Sequence, residues 1–316
     1  MRLIGGELES KDLLESIYFT DSGRSSLKLF LRNQEYKNKK ILIPNYYCEV
    51  IEEVLVQEAI DYEFYNILED LSIDIDDINV KNFDIFYVIN YFGVIQDLKS
   101  LDLSTKILLE DNVFFENFTN HTDAKQWFAF NSFRKISELA DGSLIKTNIP
   151  IDNTLILQNE ASFSKIKYEA KNIKYKFISE NKFSEEEYLE KFDLAESTLN
   201  HQVTINKMSS ISIYKLQLLD KSTQKMLKKR YDKLLSLFGQ YTINNRPTYY
   251  SFFILKIKNR DIVRKELMKK GIFLPIHWPK STQENKLYQE LISVPLFLVY
   301  NDIEFEYLVN AIKEIL

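Results

Sequence analysis

Residues 83–93, FDIFYVINYFG, are the stretch that most narrows the folds open to this chain. From Phe83 to Tyr91 nearly every residue is apolar or aromatic. A strand with one wet face alternates apolar and polar side chains. An unbroken apolar run needs cover on both faces, the situation of an inner strand in a parallel sheet with helices on either side. The neighbouring segments agree. ILIPNY (41–46), DYEFYNI (61–67) and KILLEDN (106–112) read as strands, GRSSLKLFLRN (23–33) spaces Leu27, Phe30 and Leu31 like a helix face, and EVIEEVLVQEA (49–59) reads as helix. Two further strand-type runs, Trp127 to Phe130 and Ser143 to Thr147, flank Ser132-Phe133-Arg134-Lys135. Strands alternating with helices predict an α/β fold, a doubly wound and mainly parallel sheet.

Beyond about residue 155 the texture changes. Residues 165–178 and 184–199 read as strongly charged helices, and 208–239 as one or two long ones. A strand at 248–258, a helix at 261–271 closed by Gly271, an extended piece at 272–279 and a last helix at 302–316 describe a small α+β unit. The expected organisation is a large α/β domain over residues 1–200, then long helices and the small C-terminal α+β domain over 201–316.

Composition removes several function classes. With 41 basic and 46 acidic residues and no basic block interleaved with aromatics, nucleic-acid binding has little support. The single cysteine, Cys48, excludes an intrachain disulfide and a multi-cysteine metal cluster, and the scattered His121, His201 and His277 argue against a zinc site. Seven glycines and six prolines are too few for Gly-rich linkers. No G-x-G-x-x-G follows the first strand, which argues against a dinucleotide enzyme. The opening MRLIGGELESKDLLES lacks a signal-peptide pattern and no run is apolar enough to span a bilayer, so a cytoplasmic protein without membrane contact is expected.

In an open α/β sheet, ligands bind beyond the carboxyl ends of the strands. Four features fall there. DSGRSSL (21–27) places Gly23, Arg24 and Ser25 at a helix start, where backbone N–H groups suit a phosphate; an N-cap by Ser22 explains the same residues. Glu110-Asp111-Asn112 end an apolar strand, where a carboxylate holds a protonated ring nitrogen or caps a turn. Lys135 follows Ser132 by three residues; it is either a solvated loop lysine or an amine made nucleophilic by burial and by Arg134. Tyr46, Tyr47 and Cys48 end another strand, as support for a flat ring or as core packing. Together they supply what pyridoxal phosphate requires: a lysine, an acid, a phosphate cup and a ring support.

Their order along the chain resembles the DegT family of nucleotide-sugar aminotransferases, a branch of the fold-type I pyridoxal-phosphate enzymes. SGRSSL looks like the family's phosphate-binding SGxxAL, ILIPNYYCEVIEEVL like its VLLPxYTCxxxxxxI, YVINYFGVIQDLKSL like its VxHxFGxxxDLxxL and ILLEDN like its xxIEDxA. FNSFRKISELADGSLIKT resembles the lysine segment, with Gly142-Ser143 at its GG, and GIFLPIHWP and ISVPLFLVYNDIEFEYLVNAIKEI resemble the C-terminal pieces. The resemblance covers nearly the whole chain.

It implies that Lys135 binds the cofactor aldehyde and shuttles the proton, that Asp111 pairs with the ring nitrogen, and that Gly23, Arg24, Ser25 and Ser132 hold the phosphate. Tyr47 or Cys48 would lie against the ring, and Tyr91, His277 and Trp278 on the substrate side. It also implies glutamate as amino donor, a keto sugar linked to a nucleotide as acceptor, a role in surface polysaccharide or glycan biosynthesis, and a homodimer reached through residues 208–212. The sequence departs from the family at Phe114, where many relatives have Gln or His, at Phe130, where many have Ser, at Cys48, where an aromatic is usual, and over 149–200, which reads as charged helices. Those changes open the acceptor: a small non-sugar ketone or aldehyde, or a non-catalytic protein that keeps the fold, are the other readings. Lys135 stands where some relatives, the dehydratases, carry histidine, which favours transamination.

Overall fold

A computed structural model describes residues 16–316 apart from 35, 120–123, 220–222, 244–246, 279–284 and 298–300. The readings of the N-terminal residues 1–15 and of His121 lie outside the described residues. In chain order the elements are β1 (Ser16–Thr20), α1 (Gly23–Asn33), β2 (Lys40–Pro44), α2 (Glu49–Gln57), β3 (Asp61–Tyr65), α3 (Ile75–Asn79), β4 (Ile85–Ile89), β5 (Ile107–Asp111), β6 (Gln126–Phe130), α4 (Phe133–Ile136) and β7 (Ser143–Thr147). There follow β8 (Leu157–Glu160), α5 (Ser162–Glu180), α6 (Glu185–Asn200), β9 (Asn206–Lys207), α7 (Ser210–Gln217), α8 (Thr223–Phe238), β10 (Phe252–Lys256), α9 (Arg260–Lys269), α10 (Leu287–Glu290), β11 (Leu291–Pro295) and α11 (Asp302–Ile315).

Seven strands form one sheet in the order β1-β7-β6-β5-β4-β2-β3. The pairings β3–β2–β4–β5–β6 are parallel, and β7 and β1 add antiparallel at one edge. The α/β, mainly parallel expectation holds. β4 is the apolar run that opened the sequence reading, and all five of its residues are buried. Chain order reverses between β2 and β4: β3 lies outside β2, and β4, β5 and β6 extend the other way. The parallel strands all point their carboxyl ends to one edge, and a ligand cleft belongs there.

Two parallel connections, β4 to β5 and β5 to β6, carry no α-helix among the described residues, and the first is the longer. α2 links β2 to β3, but residues 90–106, between β4 and β5, carry a single 3-10 turn at Tyr91–Gly93 and no α-helix. Parallel neighbours need a crossover, and a helix is its ordinary form. Here an irregular loop covers the sheet instead.

β10 and β11 pair antiparallel in a separate two-stranded sheet. Phe252 and Ile254 of β10 pack into the core of the large sheet, while Phe253 and Leu255 pack with α8, α9 and α11. The strand alternation thus joins two cores through one element. The contact is tightened at Gly93 (φ +86°), where an added Cβ would lie 1.8 Å from the Tyr249 carbonyl oxygen. No other residue fits that approach.

Candidate active site

Lys135 lies in the four-residue α4, directly beyond the end of β6. Its side chain is reached by solvent, yet protein surrounds it closely enough for desolvation to lower its amine below the ordinary lysine range, with Arg134 adding to the shift. The Cys48 thiol and Glu196 also act on its charge, so it stands among ionisable neighbours.

Asp111, the last residue of β5, is buried. Its Oδ2 accepts from the Tyr87 hydroxyl at 2.7 Å and its Oδ1 from the Val113 backbone N–H at 2.9 Å. Burial raises its pKa to about 6; those two bonds and the charge of Lys135 pull the other way. A buried carboxylate with two neutral donors and no hydrogen-bonded cation is a fitting partner for a protonated ring nitrogen.

Cys48 heads α2 beyond β2. Burial pushes its thiol up, and the charges of Lys135, Asp111 and Arg24 all act on it. Tyr47 faces elsewhere. Its hydroxyl donates to Glu52 at 2.6 Å and its ring packs on Phe64, so of the two candidate ring supports Cys48 is the one among the site's charges.

At the start of α1, Ser22 caps the helix by accepting from the Ser25 N–H at 3.2 Å. The capping explanation is therefore realised. A cradle remains beside it: an added Cβ on Gly23 would sit 3.2 Å from the Asn131 carbonyl oxygen and 3.5 Å from Ser132 Cβ, so α1 approaches the Lys135 turn closely. Ser132 is buried and caps nothing. Arg24 turns away. Its Nη1 donates to the Leu199 carbonyl and its Nη2 to Asn200 Oδ1, both 2.9 Å, at the C-terminus of α6. Its Nε is buried without a partner, as is that of Arg134. Arg24 is thus tied to the charged helices rather than aimed at the cup. Asp21, also buried, accepts from Gln202 at 2.6 Å, and burial lifts its pKa to about 6.

The substrate-side candidates form an aromatic wall. His277 contacts Phe92, Phe114 and Phe252 edge-on, and its Nδ1 lies 2.8 Å from Ser293 Oγ. Burial, with Lys135 assisting, lowers its pKa to about 3, so the imidazole is neutral. Trp278 packs on Tyr46 and Tyr91 in a left-handed conformation (φ 55°). Tyr91 is fully buried with its hydroxyl donated to the Tyr46 carbonyl at 2.6 Å, which makes it a support for this wall. Of the residues proposed to reach a partner subunit, Met208 packs into Gly142, and Ser209 and Ser212 are buried; Ile211 faces outward.

Three participants carry no sequence signal of their own. Tyr87 orients Asp111. Glu196 of α6 pairs with Arg134 at 2.8 Å and Lys167 at 2.5 Å; burial opposes its charge, yet the two cations hold its pKa down at about 2. Lys171 donates to the Ser137 and Leu139 carbonyls behind the lysine turn, and burial lowers it to about 7. The charged helices therefore brace the segment that bears Lys135.

No family model matches the sequence, and no curated protein does. Solved structures do match. The DesV protein of S. venezuelae, solved in complex with a ketimine intermediate, superposes with a TM-score of 0.63 at 15% identity over 94% of this chain and 84% of its own. A DegT DnrJ EryC1 StrS aminotransferase from Brucella abortus gives 0.62 at 12% identity over 94% and 85%. The sugar aminotransferase CalS13 from Micromonospora echinospora gives 0.61 at 12% over 94% and 87%. At these identities the likeness establishes the fold. This chain has the fold-type I architecture of the pyridoxal-phosphate aminotransferases. Within it, the resemblance to DegT-type structures read in the sequence extends to three dimensions.

Proposed function

We propose that this protein is a pyridoxal-phosphate-dependent aminotransferase that moves an amino group from glutamate to a keto sugar linked to a nucleotide, in surface polysaccharide or glycan biosynthesis. One observation carries the reading: Lys135, Asp111 and Cys48 come together at the strand ends, close enough for the charge of Lys135 to act on both of the others. The residues fit the cofactor. Asp111 would hold the ring nitrogen, Cys48 would lie at the ring, and the Gly23 turn with Ser132 and Ser25 would receive the phosphate. The unpartnered Nε atoms of Arg24 and Arg134 add positive potential nearby.

When bound, pyridoxal phosphate supplies an aldehyde that condenses with amines and a ring that takes up the electron pair released from the adjacent carbon. The protein supplies the rest. Lys135, with a lowered pKa, reaches the neutral form that binds the aldehyde. Nζ of Lys135, when not engaged, would be placed to take up a proton from the donor amino acid. Asp111 would stay ionised opposite a cationic ring nitrogen and would hold the proton there. Neutral His277 and its aromatic neighbours bound the acceptor side and exclude water. The outward apolar residues Ile211, Ile213 and Tyr214 of α7 support the homodimer expectation, and cytoplasmic location is part of the same reading.

The test starts with the purified protein and pyridoxal phosphate. Borohydride reduction followed by peptide mapping is expected to place the adduct on Lys135, and the cofactor absorbance is expected to bleach with glutamate. An adduct elsewhere, or none, overturns the reading. Thermal stabilisation by nucleotides then separates a nucleotide-linked acceptor from a small ketone.

A further inference from the structure

One cavity among the described residues lies away from Lys135. It has a volume of about 600 Å³ and lies under the irregular β4–β5 crossover, where a helix would ordinarily cover the sheet. That size falls in the range of small-molecule sites, roughly 300–1,000 Å³. Glu110 of β5 lines it. Successive strand residues face opposite sides, so Glu110 points away from the side that Asp111 serves.

Glu110 is only 3% exposed. Its Oε1 has one long contact, from Asn90 Nδ2 at 3.4 Å, and its Oε2 is buried with no partner. A buried carboxylate oxygen without a donor is destabilising unless a cation or donor meets it. Burial raises the pKa of this carboxyl to about 7. Part of the wall is apolar, formed by Leu98, Leu101, Leu103 and Ala124, and Gln96 and Ser104 are neutral polar residues of the lining. Asp97 and Asp102 also line it, against one cation, Lys99.

We propose that this cavity binds a small organic amine, its ammonium group on Glu110 Oε2 and its alkyl body along the leucine wall. The charge balance of the lining selects a cation over an anion. The apolar part of the wall suits an organic cation, whereas a metal ion needs several oxygen or nitrogen ligands; no such group of three exists among the described residues. The site is independent of the cofactor reading. Asn90 Nδ2 also donates to Asn112 Oδ1 at 2.7 Å.

The test titrates the full-length protein with a series from methyl- to hexylammonium, with n-butanol as the neutral control, and reads binding by calorimetry and Tm. Saturable binding that strengthens with chain length and is absent for n-butanol is expected. Glu110→Gln, which preserves shape, is expected to weaken it at least tenfold. Ser104→Trp, at an exposed position on the lining, is expected to block it. Lys135→Ala is expected to bind as the wild type does, which separates this site from amine capture in the cofactor cleft. No saturable binding across the series, equal binding of butanol, full binding by Glu110→Gln, or loss in Lys135→Ala would each overturn the proposal.

Discussion

Glu110 and Asp111 are consecutive residues of one strand, both carboxylates and both buried, yet they live in different molecules, chemically speaking. Asp111 receives a tyrosine hydroxyl and a backbone N–H and feels the charge of Lys135. Glu110 receives one long amide contact, and its second oxygen has none. The register explains the first case: β4 pairs with β5 so that Ile89 faces Asp111, which puts Tyr87, two residues back, diagonal to Asp111 on the same face. The second face is covered by a loop that supplies no equivalent donor. The difference teaches that this sheet is finished on its strand-end side and left open beneath the crossover. Burial is the main cause of both shifts, which end at about 6 and about 7; what distinguishes the two carboxyls is the set of groups waiting at the oxygens.

Lys135→Ala tests the finished side with the largest expected effect. Removing a proton-transfer group lowers turnover by roughly 10²–10⁴-fold, measured as amine exchange with glutamate in the loaded protein, while the folded state persists because α4 keeps its packing through Phe133 and Ile136. Wild-type turnover in this variant would remove the site from Lys135 altogether.

Glu110→Gln tests the open side through pH. The folded-state pKa of Glu110 is raised from 4.5 to about 7, so the folded protein holds a proton that the unfolded chain has lost. Stability from this group is therefore fully present below the unfolded value and declines as pH rises from about 4.5 to about 7. A shift of that size is worth roughly 3 kcal/mol at about 1.4 kcal/mol per pKa unit. Denaturant midpoints across that window are expected to fall less steeply in Glu110→Gln than in the wild type; parallel slopes would mean that Glu110 is not the group responsible. Asp111→Asn ranks next. Loss of a charge-assisted bond of about 1.5–3 kcal/mol weakens cofactor retention by about 10- to 100-fold, read by dialysis and absorbance, and unaltered retention would take Asp111 away from the ring nitrogen.

The sequence already showed the inner strands, because an unbroken apolar run such as 85–89 has few other ways to be buried. It showed β7 to the residue and the helix at 23–33 from its apolar spacing. It did not show β1, whose Ile17 and Phe19 are exposed at the edge and whose strand state depends on pairing with β7. Nor did it show β11, a short segment ending in Pro295 that is fixed by β10. The site followed the same rule. Lys135 and Cys48 were legible because each stands just past a readable strand, and Asp111 because it ends one. Tyr87 was not, because a tyrosine inside an apolar run looks like core until the strand register gives its hydroxyl a partner. Glu196 was hidden for a similar reason: only the packing of α6 against the lysine turn sets it beside Arg134 and Lys167.

Tyr87→Phe isolates that register-dependent contact and carries the smallest expected effect. The variant keeps the ring in the core and deletes one hydrogen bond to Asp111, a net change of about 1 kcal/mol, or about fivefold in cofactor retention. Because the Tyr87 bond lowers the Asp111 pKa, its loss moves that carboxyl further upward, so the deficit is expected to widen as pH falls toward 6. The opposite face of β5 is expected to be indifferent: amine binding at Glu110 stays at its wild-type strength. A Tyr87→Phe protein that retains cofactor normally at low pH would show that the Val113 N–H alone holds Asp111 in place. One that loses amine binding at Glu110 would show that the two faces of the strand are coupled rather than separately built.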